Sequence, residues 1–190
     1  RRRHTKFRNV TGVQTCALPI SIGATAYAGI PISYPGGPDA IVLLRGHESE
    51  TDALPDVDWS ALARVEATIV CYVGGRLTAA LLQVLLEHGL PPDRAAALIH
   101  RGTVPAQQTS IATLGELAER TSAGGSSDPG LLVIGEVANL RNHLRWYDRR
   151  PLFGRRIVVT RSREQARDLC ERLEALGAHA IEAPTFTLGA

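Results

Sequence analysis

From residue 21 onward, short continuous apolar runs alternate with stretches whose apolar residues recur at helical spacing. Runs too short for helices and bounded by Gly, Pro or Asp read as buried strands, and their alternation with amphipathic helices predicts an α/β architecture. The predicted strands are Ala40 to Leu44, Thr68 to Tyr72, Ala95 to Ile99, Leu131 to Ile134 and Ile157 to Thr160. Between them, Arg76 to His88 sets Leu77, Ala80, Leu81, Val84 and Leu85 on one helical face and stops at Gly89, with Pro91 and Pro92 beyond. Leu114 to Arg120 predicts a shorter helix, and Trp59 to Arg64 one or two turns capped by Asp58. Ser122 to Gly130, rich in Gly, Ser, Asp and Pro, predicts a solvated loop.

The pattern breaks and restarts near residue 150. Asp148-Arg149-Arg150-Pro151 is charged and ends in proline, which marks residues 149–155 as a linker. A strand over 157–160, a helix Glu164 to Leu176 and a strand Ala180 to Ala183 follow. Ser162 with Gln165 three residues on predicts a capping box for that helix, Gly177 ends it, and Ala166, Leu169, Cys170, Leu173 and Leu176 form its expected buried stripe. Residues 156–190 fall below the ~40 residues at which a domain usually stands alone, so they read as the truncated βαβ start of a second domain.

Composition leaves this picture in place. The 44% hydrophobic and 21% charged residues are those of a globular chain, and no apolar run approaches the ~18 residues of a membrane span. The net charge of +2 comes from residues 1–9, which hold Arg1, Arg2, Arg3, Lys6 and Arg8 and no acid; the remaining 16 cations face 19 acids. The body of the chain is acidic, which argues against nucleic acid as a partner. Lys6 is the only lysine, and Val10 to Ile20 is what a common sequencing-adapter oligonucleotide encodes in frame. Residues 1–20 are therefore read as a non-native tail. Cys71 lies in an apolar run and Cys170 on a helix, with no C-x-x-C, which predicts reduced thiols of a cytoplasmic protein. The six His show no spacing that would set a metal site, so no metal is expected.

Spacing alone names no chemistry: G-x-G-x-x-G, Walker, G-x-S-x-G and H-E-x-x-H patterns are all missing. The doublets Gly36-Gly37, Gly74-Gly75 and Gly124-Gly125 read as turns, although Gly74 and Gly102 each end a predicted strand, where ligands collect in α/β sheets. Arg45, Arg76 and Arg101, near strand ends, are candidate anion contacts, and each also reads as solvated surface charge.

Ordered landmarks carry more. Ala26-Tyr27-Ala28-Gly29-Ile30-Pro31-Ile32-Ser33, Arg45-Gly46-His47-Glu48, Asp58-Trp59-Ser60-Ala61-Leu62-Ala63, Ile69 to Gly74, His100-Arg101-Gly102-Thr103 followed by Gln107 or Gln108, and Gly135-Glu136-Val137 with Leu140-Arg141 and Leu144-Arg145-Trp146-Tyr147 resemble, in order, segments of uroporphyrinogen-III C-methyltransferases, members of the tetrapyrrole methylase family. Gly154 to Arg161, through Glu182-Ala183-Pro184, resembles the opening of uroporphyrinogen-III synthase.

The resemblance implies a fold of two α/β lobes with S-adenosylmethionine between them, of which residues 21–148 are the C-terminal α/β/α lobe. It further implies a homodimer, a cytoplasmic location, and methylation of uroporphyrinogen III to precorrin-2 for sirohaem or cobalamin. Carried over position by position, Val73 stands where the family has Met against the adenine, and Gly102 with Thr103 where backbone holds the cofactor. Arg45, Arg76 and Arg101 are the candidates for the substrate carboxylates. Ser33-Tyr34-Pro35-Gly36 replaces the family's T-H-R-G turn and removes its cations. The family's Gly-rich cofactor loop has no counterpart here, so this chain alone is expected to be inactive. Related two-lobe methyltransferases of corrin precursors, ribosomal RNA or the diphthamide precursor, and a non-enzymatic dimerisation or binding module, remain the alternatives.

Overall fold

A computed structural model of the chain describes residues 20–45, 54–124 and 128–185. In chain order the main elements are α1 over 20–27, β1 Ala40–Arg45, α2 Trp59–Arg64, β2 Ala67–Val73, α3 Thr78–Glu87, β3 Ala95–His100, β4 Gln108–Thr113, α4 Leu114–Ser122, β5 Gly130–Ile134, α5 Arg141–Leu144, β6 Arg156–Val159, α6 Arg163–Ala175 and β7 His179–Glu182. The first five strands form one sheet in the order β1-β2-β5-β3-β4. β1 runs parallel to β2, whereas β5 is antiparallel to both β2 and β3, and β4 is antiparallel to β3.

Alternation along the strands supplies two buried faces. Ile69, Cys71 and Val73 of β2 point with Leu98, Leu132 and Ile134 toward α2, α3 and α4, where they meet Leu62, Leu81, Leu82, Leu85, Leu114 and Leu117. Val70 points with Ala97, Ile99, Leu131 and Val133 to the opposite side, against Ala24 and Ala28, Ile30, Val137 and Ala138. Helices thus cover both faces, which is why β2, β3 and β5 can be apolar at nearly every position. This is the expected mixed α/β lobe. The Asp58 cap also forms, its carboxylate accepting from the Ala61 N–H at 2.8 Å.

Two elements go beyond the pattern. α1 was hidden because its buried face is built from Ser21, Ala24 and Thr25 rather than large apolar residues. β4, Gln-Thr-Ser-Ile-Ala-Thr, is polar because it is an edge strand; pairing with β3 along its whole length makes it a strand. The long helix is also shorter than its apolar stripe, since Gly75–Leu77 form a 3-10 turn before α3 starts at Thr78.

The segment after residue 150 forms a parallel β6-β7 pair crossed by α6. Two expectations fail there. Ser162 is the N-cap residue of α6, yet its side chain makes no cap bond and its hydroxyl is buried without a partner. A full capping box forms instead at Thr113 and Glu116 on α4, where helix entry from β4 gives both side chains the required geometry. Of the predicted stripe, Ala166 and Cys170 are buried and Leu173 packs beside them, but Leu169 and Leu176 are 38% and 44% exposed. Two strands are too narrow to cover a whole helical face.

The predicted linker is packed. The Leu152 N–H donates to the Leu176 carbonyl at 2.9 Å, Phe153 meets the edge of Tyr147 at 5.4 Å, and Gly177 lies against Arg150 and Phe153.

Candidate functional site

The sheet topology gathers the C-terminal ends of β1, β2 and β3 at one edge, together with the starts of β4 and β5. Val73 pairs with Gly130 from one side and His100 pairs with it from the other, so β5 begins between the ends of β2 and β3. Arg45 ends β1, Arg76 lies in the turn after β2, and Arg101, Gly102 and Thr103 follow β3. All six residues singled out from sequence therefore lie along this edge. The Arg45 side chain and the Gly46 to Glu48 turn lie outside the described residues.

The loop after β3 has an unusual backbone. Arg101 and Thr103 adopt φ of 50° and 72°, a left-handed conformation that non-glycine residues rarely hold without support. Support comes from three sides. Gln107, 6% exposed, accepts from the Thr103 N–H at 2.9 Å and donates to the Tyr27 carbonyl at 3.4 Å. The Tyr147 hydroxyl donates to the Thr103 carbonyl at 3.1 Å. Gly102 presses on α1 so closely that a Cβ there would sit 2.7 Å from the Ala24 methyl. Among the described residues the Gly102 N–H and C=O have no hydrogen-bond partner, which leaves a backbone donor and acceptor adjacent to each other at the sheet edge.

The supports are themselves braced. Arg141, 7% exposed, donates to the Ala28 carbonyl and pairs with Asp148. Trp146 donates from Nε1 to the Ala26 carbonyl at 3.0 Å, and Tyr27, Trp146 and Tyr147 stack on one another with centroids 4.7–5.6 Å apart. Gly29, at φ 69°, passes under the chain at Arg145, where a Cβ would lie 2.5 Å from backbone. Burial of Tyr147 raises its phenol above the ordinary 10.0; Arg150 opposes this and Tyr27 adds to it. The phenol is therefore neutral, and a donor, at neutral pH.

The remaining candidates differ in setting. Val73 is 1% exposed and belongs to the core on the α3 side, so its side chain presents no open apolar wall in this lobe. Arg101 is held by Asp128, Nη2 to Oδ2 at 2.8 Å and Nε to Oδ2 at 2.9 Å. Arg76 is exposed. Cys71 and Cys170 are buried and form no disulfide, and burial, then Glu182 and Glu174, push the Cys170 thiol up, away from nucleophilic use. Sequence spacing missed Gln107 as a strut, because a single glutamine near a strand carries no periodic signal.

A sequence model of the tetrapyrrole (corrin/porphyrin) methylases matches residues 15–118, more than half of the chain. This chain belongs to the tetrapyrrole methylase family. It is 42% identical over 130 residues to a sirohaem synthase of Neisseria meningitidis, covering 68% of this chain and 26% of that protein. It is 29% identical to a uroporphyrinogen-III C-methyltransferase of Bacillus subtilis, over 87% of this chain and 34% of the relative. The chain thus spans about a quarter to a third of the length of these relatives. Among solved structures, it superposes on a uroporphyrin-III C-methyltransferase from Thermus thermophilus, crystallised with S-adenosylhomocysteine, with a TM-score of 0.51 and 26% identity over 62% of this chain and 50% of that one. A cobalt precorrin-4 methyltransferase shares the fold, with a TM-score of 0.53 at 18% identity. Among the described residues, no helix is long and apolar enough to cross a membrane.

Proposed function

We propose that this tetrapyrrole methylase lobe serves S-adenosylmethionine-dependent C-methylation of uroporphyrinogen III to precorrin-2, completed by a second lobe across the sheet edge. The observation that carries the reading is the braced loop after β3 at that edge, whose Gly102 N–H and C=O have no hydrogen-bond partner among the described residues. Support also comes from the names of the relatives and from the Thermus structure, which contains the demethylated cofactor.

A side-chain-free backbone pair fits the cofactor's polar groups. Gly102 would hold it there, with the exposed Thr103 hydroxyl beside it, because the N–H and C=O of Thr103 are already engaged by Gln107 and Tyr147. Val73 contributes through its position at the end of β2. When bound, S-adenosylmethionine supplies a methyl group on a sulfonium. The acceptor carbon of a reduced pyrrole is already nucleophilic, so the protein needs no nucleophile. Its task is in-line alignment and exclusion of water, which under ideal geometry is worth up to ~7–11 kcal/mol. Arg45, Arg76 and Arg101 would take the substrate carboxylates, since guanidinium pairs with carboxylate bidentately. At Arg101 a substrate carboxylate would replace that of Asp128.

The proposal extends to a homodimer, for which the exposed Ile41 and Leu43 on the edge strand β1 offer an apolar surface. It also extends to a uroporphyrinogen-III synthase-like domain beginning after the connector. A porphyrin biosynthesis protein of Ruminiclostridium josui matches 86% of this chain at 30% identity, a stretch that reaches past residue 150 even if it starts at residue 1. A synthase placed there would make the methyltransferase's substrate.

The test is a chimera in which this lobe replaces its counterpart in the Thermus methyltransferase. Transfer of labelled methyl groups from S-adenosylmethionine to uroporphyrinogen III, lost on Gly102→Val, is the expected result; a folded, dimeric chimera without transfer overturns it. The chain alone is expected to bind S-adenosylhomocysteine weakly, and submicromolar affinity by calorimetry would show that the site does not need a second lobe.

A further inference from the structure

Residues 137–162 contain seven arginines and a single acid, Asp148, which is taken by Arg141. Among the described residues, Arg145, Arg149, Arg150, Arg155 and Arg156 form no ion pair. Four of them are exposed, and Arg150 is half-buried with its guanidinium carbon 4.8 Å above the Trp146 ring. Trp146 is 44% exposed, yet its hydrogen bond to Ala26 and its contact with Tyr27 fix its orientation. Unpaired cations this dense repel one another and create a positive potential that an anion would relieve. The surface borders the loop after β3: Tyr147, next to Trp146, bonds Thr103, and Gly154 lies beside the Pro105 carbonyl.

We infer that this arginine-rich connector with Trp146 is a second anion-binding surface, one that docks a polycarboxylated tetrapyrrole beside the methylation site. The inference rests on the proposed reading for the identity of the ligand. The exposed part of the indole, with Arg150 over its ring, offers a rigid apolar surface to the macrocycle, and the exposed arginines that flank it along the chain take peripheral carboxylates. Long polyanions fit less well, because the chain beyond residue 9 carries more acids than cations and repels a strand that leaves the patch. The location, between the methylase lobe and the segment after residue 150, suits a macrocycle handed from one to the other.

The experiment is a calorimetric titration of the 190-residue chain with uroporphyrin, the air-stable oxidised octacarboxylate, with Trp146 emission as a local reporter. The triple substitution R149Q/R155Q/R156Q removes exposed charges without touching the aromatic stack, and its thermal midpoint is measured alongside. The expected result is quenching on binding and affinity weakened by at least ~10-fold in the triple variant at unchanged midpoint. Affinity unchanged in that variant but lost in R45Q/R76Q/R101Q overturns the second surface and leaves the methylation site standing. No binding by the unaltered chain also overturns it, and the chimera still tests the methylation reading separately. Equal affinity for a single-stranded oligonucleotide would show a general polyanion surface and overturn the tetrapyrrole assignment.

Discussion

Tyr147 meets the connector with its ring, at Phe153, and the loop after β3 with its hydroxyl, at Thr103, so its protonation state bears on the loop. The folded protein holds the phenolic proton more tightly than the unfolded chain, because burial raises the pKa above 10.0. The resulting stabilisation is whole below pH 10 and is lost as pH rises through the folded value. Thermal midpoints followed upward from pH 9 should fall more steeply for the unaltered chain than for Tyr147→Phe. At neutral pH that variant should lose about 0.5–1.5 kcal/mol, the net worth of one hydrogen bond. Equal slopes would show that another group governs the alkaline limb. Gly29 poses a backbone question instead. Ala there meets both a positive φ and the Arg145 backbone, so Gly29→Ala should destabilise by more than the ~1–2 kcal/mol of left-handed strain alone, read from urea midpoints.

Helix caps show how the same sequence motif can succeed or fail. Thr113→Ala removes a formed capping box on α4 and should cost about 0.5–2 kcal/mol. Ser162→Ala removes only a buried, unpartnered hydroxyl and should be neutral or stabilising. A comparable loss at both sites would mean that Ser162 caps α6 in solution. Both motifs are legible in sequence, but whether the side chain can reach the N–H depends on how the preceding strand enters the helix. The core strands were readable because helices on both faces make β2, β3 and β5 apolar throughout. β4 was not, since an edge strand of Gln, Thr and Ser takes its identity from β3. α6 and α3 look alike as amphipathic helices, yet α3 buries Leu81, Leu82 and Leu85 completely while α6 leaves Leu169 and Leu176 exposed. Amide exchange should therefore be faster in α6 than in α3. Equal protection would make the segment after residue 150 an integral part of the lobe.

For the whole molecule, the packed connector matters most. Phe153 against Tyr147, and Gly177 against Arg150 and Phe153, place the β6-β7 unit beside the methylase lobe through a small contact. Phe153→Ala removes one ring from that contact. It should raise exchange in β6 and β7 while leaving β2, β3 and β5 protected, and a uniform rise across both units would show a single cooperative structure.

The sequence by itself determined the α/β class, the core strands, the Asp58 cap and the membership in a methylase family, because each is written in local periodicity or in an ordered run of short motifs. The six candidate residues were named from sequence too, but their assembly along one edge was decided by sheet order, which places β5 between β2 and β3. Only the tertiary structure showed Val73 closed into the core, Arg101 paired with Asp128, and Gln107 and Tyr147 bracing Thr103. Those contacts join residues far apart in the chain, and their strength comes from burial and mutual geometry, neither of which a local pattern encodes.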